Sequence, residues 1–278
     1  MKRTVGLVLV GLFCFLTLNA EIVEIQEISK ILPAIENPNT LVLIDMDDTL
    51  TDSTLMLGTG LWRKSLRENG SRHVETLKKL NLLERKEELH DRMTHFVATR
   101  IPVKPVEEAF PTVVAEMQAQ SVPVYVFTAR GKKKWYSTEI SNIDSLTEAQ
   151  LQQAGYAFQN TVPPAEWSEL DPAFYGNGVL YTSPIKKGIF LKNLIEKTGY
   201  RPAKIVFIDD KKDQVESVEK AAAELGIPYV GFWYTRADRE HTNFDEEITM
   251  VQWTALESSG MIMSDQQAAQ RIKEMRSK

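Results

Sequence analysis

Residues 41–50 read LVLIDMDDTL: an apolar run, Leu41 to Ile44, ends abruptly in Asp45, Asp47 and Asp48, with Thr49 and Leu50 closing the stretch. A short run without polar alternation fits a strand buried on both faces, as in parallel sheets. Its carboxyl end then opens onto solvent, where open α/β sheets bind their ligands. Three carboxylates at one strand end repel one another, so the position calls for a divalent cation or a shared proton.

The pattern recurs along the chain. Strands are predicted at Leu41–Asp45, Val122–Thr128, Ile205–Asp209 and Tyr229–Trp233, and helices at Val106–Gln120, Lys187–Thr198 and Lys212–Leu225. Strands alternating with helices imply right-handed crossovers and an α/β fold, a Rossmann-like doubly wound parallel sheet. Residues 21–54 and 106–244 would form this core. Glu21 to Ile35 shows helical spacing, broken by Pro33 and Pro38. Two intervals are too long for simple crossovers. The first carries amphipathic patterns at Leu61–Asn69, Arg72–Leu82 and Glu84–Thr99, closed by Pro102 and Pro105, and reads as a small helical cap (55–105) inserted between the first two strands. The second, Gly131 to Ser183, holds a helical Thr147–Ala154, a Pro163-Pro164 turn, and a hairpin over Tyr175–Tyr181 centred on Gly176-Asn177-Gly178. Residues 245–278 form a helical tail, with Asp265–Lys278 as a surface helix.

Lys2 and Arg3, the apolar stretch Val5–Leu18 and the small residue in Leu18-Asn19-Ala20 have the layout of a secretory signal peptide over residues 1–20. The stretch is short for a spanning helix, and an uncleaved anchor is the alternative. Cys14 is the only cysteine, and Leu12-Phe13 before it are not the small residues that precede a lipid-modified thiol. A mature chain would thus have no thiol, which excludes disulfides, cysteine nucleophiles and thiolate metal sites. The chain carries 33 basic and 38 acidic residues; without Lys2 and Arg3 the balance is 31 against 38, a net of −7. No basic tract suits nucleic acid, and Lys132-Lys133-Lys134 reads as a solvated helix start. A periplasmic or extracellular protein is expected, free of the membrane once its leader is removed.

The chemistry follows from the strand ends. Asp45 is the candidate nucleophile toward phosphorus, a carboxylate that splits one hard displacement into two easier ones. Asp47 could protonate the leaving group and then activate water. Thr128 closes the second apolar run, and its hydroxyl with nearby backbone N–H groups could hold a phosphoryl oxygen. Lys187 opens a helix and offers a point charge, although Lys186 beside it is equally cationic. Asp209 ends Ile205–Asp209 and could bind magnesium together with Asp45. Taken singly, each has an ordinary explanation as a turn former or solvated side chain. Two strand-terminal carboxylate clusters with a Thr between them and a Lys before the second are not an ordinary combination. His90 and His95 lie five apart, the wrong spacing for a helical metal pair, so zinc is not expected. Trp62, Trp135 and Phe96 read first as packing residues and second as the lining of a substrate pocket.

In these residues the chain resembles the haloacid dehalogenase-like hydrolase superfamily, whose first motif, Asp-x-Asp-x-Thr, matches Asp45-Met46-Asp47-Asp48-Thr49. The second motif, a strand-end Thr or Ser, matches Thr128; the third matches Lys187; the fourth, an acidic cluster, matches Asp209-Asp210 with Asp213. The resemblance spans roughly Thr40 to Tyr234. It implies magnesium dependence, attack by Asp45, and a backbone carbonyl of Asp47 on the metal while its side chain does acid–base work, with Asp210 and Asp213 in support. Dehalogenases of the superfamily lack a carboxylate at the position of Asp47 and P-type ATPases carry Thr there, so the resemblance favours phosphomonoester hydrolysis. Phosphotransfer to a second alcohol stays open, as does a binding or effector protein without turnover. Leu57-Gly58, Trp62, Phe207–Asp213 and the leader resemble a secreted bacterial branch, the DUF2608-like proteins, for which the resemblance implies no substrate; the superfamily reading itself implies a small phosphorylated molecule.

Overall fold

The computed structural model describes residues 20–35, 38–68, 93–135, 138–139, 142–168 and 170–277. The leader-like stretch 1–19 and the predicted helix Arg72–Leu82 lie outside them.

A seven-stranded sheet organises the chain: β1 (Ala20–Ile25), β2 (Thr40–Ile44), β5 (Val124–Thr128), β8 (Tyr175–Gly176), β9 (Val179–Tyr181), β10 (Lys204–Asp209) and β11 (Tyr229–Tyr234), in the spatial order β1-β11-β10-β2-β5-β9-β8. Every neighbouring pair is parallel except β8 with β9. A two-stranded antiparallel ribbon, β3 (Thr51–Ser53) with β4 (Val103–Pro105), brackets the inserted segment, and a second pairs β6 (Lys134–Trp135) with β7 (Thr138–Glu139). The helices are α1 (Gly60–Glu68), α2 (Phe110–Ala119), α3 (Ile143–Gln153), α4 (Lys187–Thr198), α5 (Lys212–Leu225), α6 (Arg236–Glu240), α7 (Glu246–Ser259) and α8 (Asp265–Arg276). Residues 93–98 are also helical.

The absence of polar alternation in β2 now has its cause. Leu41 and Leu43 face one core with Tyr125, Phe127, Ile205 and Phe207; Val42 and Ile44 face the other with Val124, Val126, Val206 and Ile208. Helices α4 and α5 cover the first of these faces, and α2 with a 3₁₀ segment (Ile28–Ala34) covers the second. A central parallel strand must be apolar on both sides.

Glu21–Ile35 is not a helix. It forms β1, parallel to β11 from Ala20↔Tyr229 to Ile25↔Tyr234, and then the 3₁₀ segment. As the edge strand it buries only part of its Ile22 and Val23 side chains, so its apolar periodicity was weak and the partner strand decided its conformation. The hairpin at Tyr175–Tyr181 forms as expected, with Asn177 and Gly178 both at positive φ, and its second strand joins the main sheet beside β5. Of the inserted helices, Leu61–Asn69 corresponds to α1, and only 93–99 of Glu84–Thr99 is described, helical over 93–98.

The tail is more than a surface helix. Gln252 of α7 accepts from the Leu57 N–H at 3.1 Å and donates to Asp265, whose carboxylate also accepts from the Met56 N–H at 3.0 Å. Trp253 and Leu256 join Leu57, Trp62, Leu66, Met93, Val97 and Ile101 in a separate apolar cluster. The tail therefore anchors the start of the insertion.

Helices α4 and α5 pack so closely that a Cβ at Gly188 would clash with the Ser217 carbonyl of α5. Gly188→Ala should cost roughly 1–3 kcal/mol through overpacking, which urea denaturation would measure. A loss near zero would mean that the two helices do not hold this spacing.

Candidate functional site

The chain runs from β2 to β5 and β9 on one side of the sheet, then crosses to β10 and β11 on the other. The order reverses at β2, whose neighbours leave a crevice at their carboxyl ends. Asp45 follows β2, Asp209 ends β10 and Thr128 ends β5, so all three sit at this edge. The Asp45 N–H donates to the Ile208 carbonyl at 2.9 Å, carrying the ladder one residue past the strand.

A tight turn then redirects the chain. The Met46 carbonyl accepts from the N–H groups of Leu50 and Thr51, each at 2.9 Å. Asp48 takes a left-handed conformation at φ 66°, which Asp tolerates better than most residues. The Thr49 hydroxyl accepts from the Asp210 N–H at 3.0 Å and so ties this turn to the end of β10.

Lys187, the first residue of α4, is 2% exposed and reaches both Asp45 and Asp209, the latter at 2.6 Å. Lys186 is exposed, so the structure separates the two lysines. Asp45, Asp209 and Asp210 present carboxylate oxygens within 4.8 Å of one another. Burial pushes the Asp45 carboxyl up to about 7, Lys187 pulling it down and Asp209 pushing it further up. Burial, then the Asp48 charge, raises Asp210 well above the ordinary carboxylate range, although Lys211 pairs with it. Burial would lower Lys187, yet Asp209 and Asp45 reverse this and hold it charged. Hard oxygen donors this close, two of them with raised pKa values, fit a divalent cation such as magnesium.

Asp47 lies apart from that group. Arg130 grips it with both ends of its fork, Nε to Oδ2 at 2.9 Å and a terminal nitrogen to Oδ1 at 2.7 Å. Arg130 is itself held by Thr147 and Gln150 of α3, and its N–H donates to the Thr128 hydroxyl at 3.2 Å. Burial alone would raise Asp47, but Arg130 and Arg63 more than offset it and hold it below the usual value. Arg63 of α1 donates to Asp48 at 2.6 Å. Gly60, which opens α1, carries no Cβ because one would collide with the Asp48 carboxylate. Asp213 is exposed on the first turn of α5 and does not join the cluster. Thr128 is buried with its hydroxyl facing Arg130.

Arg130 and Arg63 carried no role in the sequence reading. A buried arginine looks like any surface cation in a sequence. The one clue was the carboxylate excess: several strand-end aspartates against a single predicted lysine require further cations. Among the described residues His95 has its pKa lowered by burial and by Arg130, His241 pairs with Asp52 at 2.7 Å, and neither belongs to the Asp45–Asp209–Asp210 group. Trp62 lines a cavity beside Asp47, whereas Phe96 packs edge-on against Trp253.

Residues 21–269 match the family described as "Protein of unknown function (DUF2608)". The chain belongs to that family. A Chlamydia pneumoniae protein is 24% identical over 253 residues, which is 90% of this chain and 88% of that relative. Relatives from Chlamydia muridarum and Chlamydia trachomatis are 24% and 22% identical, each over 78% of this chain and 77% of their own length. All three are named "Putative outer membrane protein". No solved structure matches the chain. Among the described residues, no helix of this DUF2608 chain is long and apolar enough to cross a membrane.

Two outcomes follow from the electrostatics. Arg130→Met leaves the Asp47 charge unpaired and should cost roughly 3 kcal/mol, the low end for a buried pair because the Asp47 side chain is 20% exposed. Adding Asp47→Asn should restore about 1 kcal/mol or more, measurable in a double-mutant denaturation cycle. In chelator, the folded chain keeps the Asp45 proton that the unfolded chain releases near 3.8, so this group makes stability fall as pH rises from about 4 to about 7 and adds no slope above that. Denaturation midpoints of Asp45→Asn should lack this component, and an unchanged slope would refute the raised pKa.

Proposed function

We propose that this protein is an exported, magnesium-dependent phosphomonoesterase of the haloacid dehalogenase-like type, acting through a phosphorylated Asp45. The observation that carries the reading is the convergence of Asp45, Asp209, Asp210 and Lys187 at one sheet edge, with Asp47 two residues beyond the first. The Asp-x-Asp-x-Thr motif, the strand-end Thr128 and the spatial order of the strands support it. The leader-like residues 1–20 and the names of the chlamydial relatives support export. The insertion bracketed by β3 and β4 is the cap of this reading, with α1 and the helical residues 93–98 lying over Asp47 and Asp48.

An Asp45 oxygen attacks phosphorus, the bond to the leaving oxygen breaks, and that oxygen takes a proton from Asp47. Asp47 then takes a proton from water as the water oxygen attacks the Asp45-bound phosphorus. The phosphorus–Asp45 bond breaks, inorganic phosphate leaves, and both carboxyls return to their starting forms. Lys187 orients Asp45 and offers N–H to the transferring group, and Thr128 keeps its hydroxyl hydrogen for a phosphoryl oxygen. Asp45, Asp209, Asp210 and the Asp47 carbonyl would hold magnesium, which when bound supplies positive charge against the carboxylates and the phosphoryl oxygens. In the Arg130 fork Asp47 is ionised, the form the water step needs. To act first as the acid it must leave the fork and take up a proton from solvent, which it regains from water in the second step.

Mature protein with magnesium should hydrolyse p-nitrophenyl phosphate and lose that activity in chelator. Asp45→Asn and Lys187→Met should each lower kcat at least roughly a thousandfold. Full turnover by Asp45→Asn would remove Asp45 as the nucleophile.

A further inference from the structure

The ladder between β10 and β11 stops at the pair Asp209↔Trp233, so no strand neighbour holds the peptide that follows Asp210. That peptide is nevertheless held at both ends. Its carbonyl, from Asp210, accepts from Trp233 Nε1 at 3.0 Å, and its N–H, from Lys211, donates to Asp209 Oδ1 at 2.8 Å. The peptide before Asp210 is tied as well, its N–H donating to the Thr49 hydroxyl at 3.0 Å. A planar peptide fixed on each side leaves neither backbone dihedral of Asp210 free, and its side chain leaves the backbone in one direction. The Asp209 carboxylate is set by the same peptide through Oδ1 and by Lys187 through Oδ2.

We propose that Trp233 is a positioning residue for the cation centre: its indole N–H holds the Asp210–Lys211 peptide and, through it, aims the Asp209 and Asp210 carboxylates at one divalent ion. This rests on the reading of Asp45, Asp209 and Asp210 as ligands, and not on the hydrolytic steps. Trp233 suits the task because its ring is half-buried against the core beneath α4 and α5, so packing fixes the donor independently of the site. An indole also adds no charge, and its bond to a backbone carbonyl changes the direction of the ligands without changing their number. Without that N–H the peptide is free to rotate. Both carboxylates then lose their aim together, although neither side chain has been altered. Partners of this kind, one step removed from the ion, govern how tightly it is held.

The test reads cation binding without turnover. Manganese shares the oxygen-ligand preference of magnesium, and its free ion is counted directly by electron paramagnetic resonance. The purified protein should bind manganese in competition with magnesium, and Asp209→Asn should weaken this by about tenfold or more. Trp233→Phe and Trp233→Leu, either of which serves if the other fails to fold, should each raise the manganese Kd roughly tenfold. Tyr229→Phe is the control. On the same strand the Tyr229 hydroxyl donates to the Val215 carbonyl of α5 at 2.8 Å, so this change removes a like bond between β11 and α5 without touching the Asp210–Lys211 peptide. Its Kd should stay within about twofold of the parent. An unchanged Kd in the Trp233 variants, or an equal rise in Tyr229→Phe, means that the indole only packs, and overturns the positioning role while leaving the cation centre. Manganese binding that is absent, or that Asp209→Asn does not weaken, overturns the centre and the inference with it. The expected loss in the Trp233 variants, found in a protein without phosphatase activity, keeps the inference and overturns the reaction.

Discussion

The Lys187 ammonium between Asp45 and Asp209 is the contact on which the carboxyl edge of the sheet depends. Two adjacent parallel strands end in carboxylates, and each strand is locked into register by a ladder that neither can leave. Without a cation between them, the ends of β2 and β10 would repel. A lysine at this point must come from an element that starts there, and α4 does. Its first residue is Lys187, and its second is a glycine, so α4 lies against α5 close enough to bring the ammonium inside. The two aromatic rings nearest it, Phe127 and Phe207, belong to the core beneath. The fold and the charge arrangement are thus one constraint seen from two sides.

A second ion pair, laid out differently, governs Asp47. A lysine is a point charge that can serve two carboxylates at once; an arginine fork matches a single carboxylate along both oxygens. Arg130 fixes the direction of the Asp47 side chain, and α3 fixes Arg130 through Thr147 and Gln150. The helix between β7 and β9 therefore reaches Asp47 through Arg130 although none of its residues belongs to the carboxylate cluster. Arg63 divides its fork on the insertion side, one arm on Asp48 Oδ2 and the other on the Gly58 carbonyl. Through these pairs, two segments far apart in sequence are set against the turn that follows β2.

How much of this could be read from the residues depends on what decides each element. Leu41–Asp45 and Ile205–Asp209 were legible because burial on both faces leaves an unmistakable apolar run. Lys187–Thr198 and Lys212–Leu225 were legible because each ends at a glycine in the left-handed conformation, Gly199 and Gly226. Glu21–Ile35 was not, since an edge strand carries a weak pattern and β11 supplies the deciding hydrogen bonds. The aspartates and Lys187 stood out because they fall at strand ends and a helix start. Asp213 was drawn in by sequence proximity alone, and one helical turn carries it out to solvent. Arg130, Arg63 and Asp52 escaped notice because burial of a charge depends on contacts across 83, 15 and 189 residues of chain.

The ion pairs also bear on how a site this acidic stays folded. Asp45, Asp47, Asp48, Asp209 and Asp210 face Lys187, Lys211, Arg130 and Arg63, five carboxylates against four cations. With all of them ionised the balance is −1, and the raised pKa of Asp45 brings it close to neutral at pH 7. On the phosphomonoesterase reading, a divalent cation takes the fully ionised site to +1 and a phosphoryl dianion returns it to −1. The charge alternates about zero and never accumulates, which is what a low-dielectric site requires if neither partner is to be bound too tightly to leave. A site with only the predicted lysine would stand at −4. The two arginines and Lys211, none of which had a role in the sequence reading, are therefore what bring the arrangement from −4 to −1, within reach of an anion on the phosphomonoesterase reading.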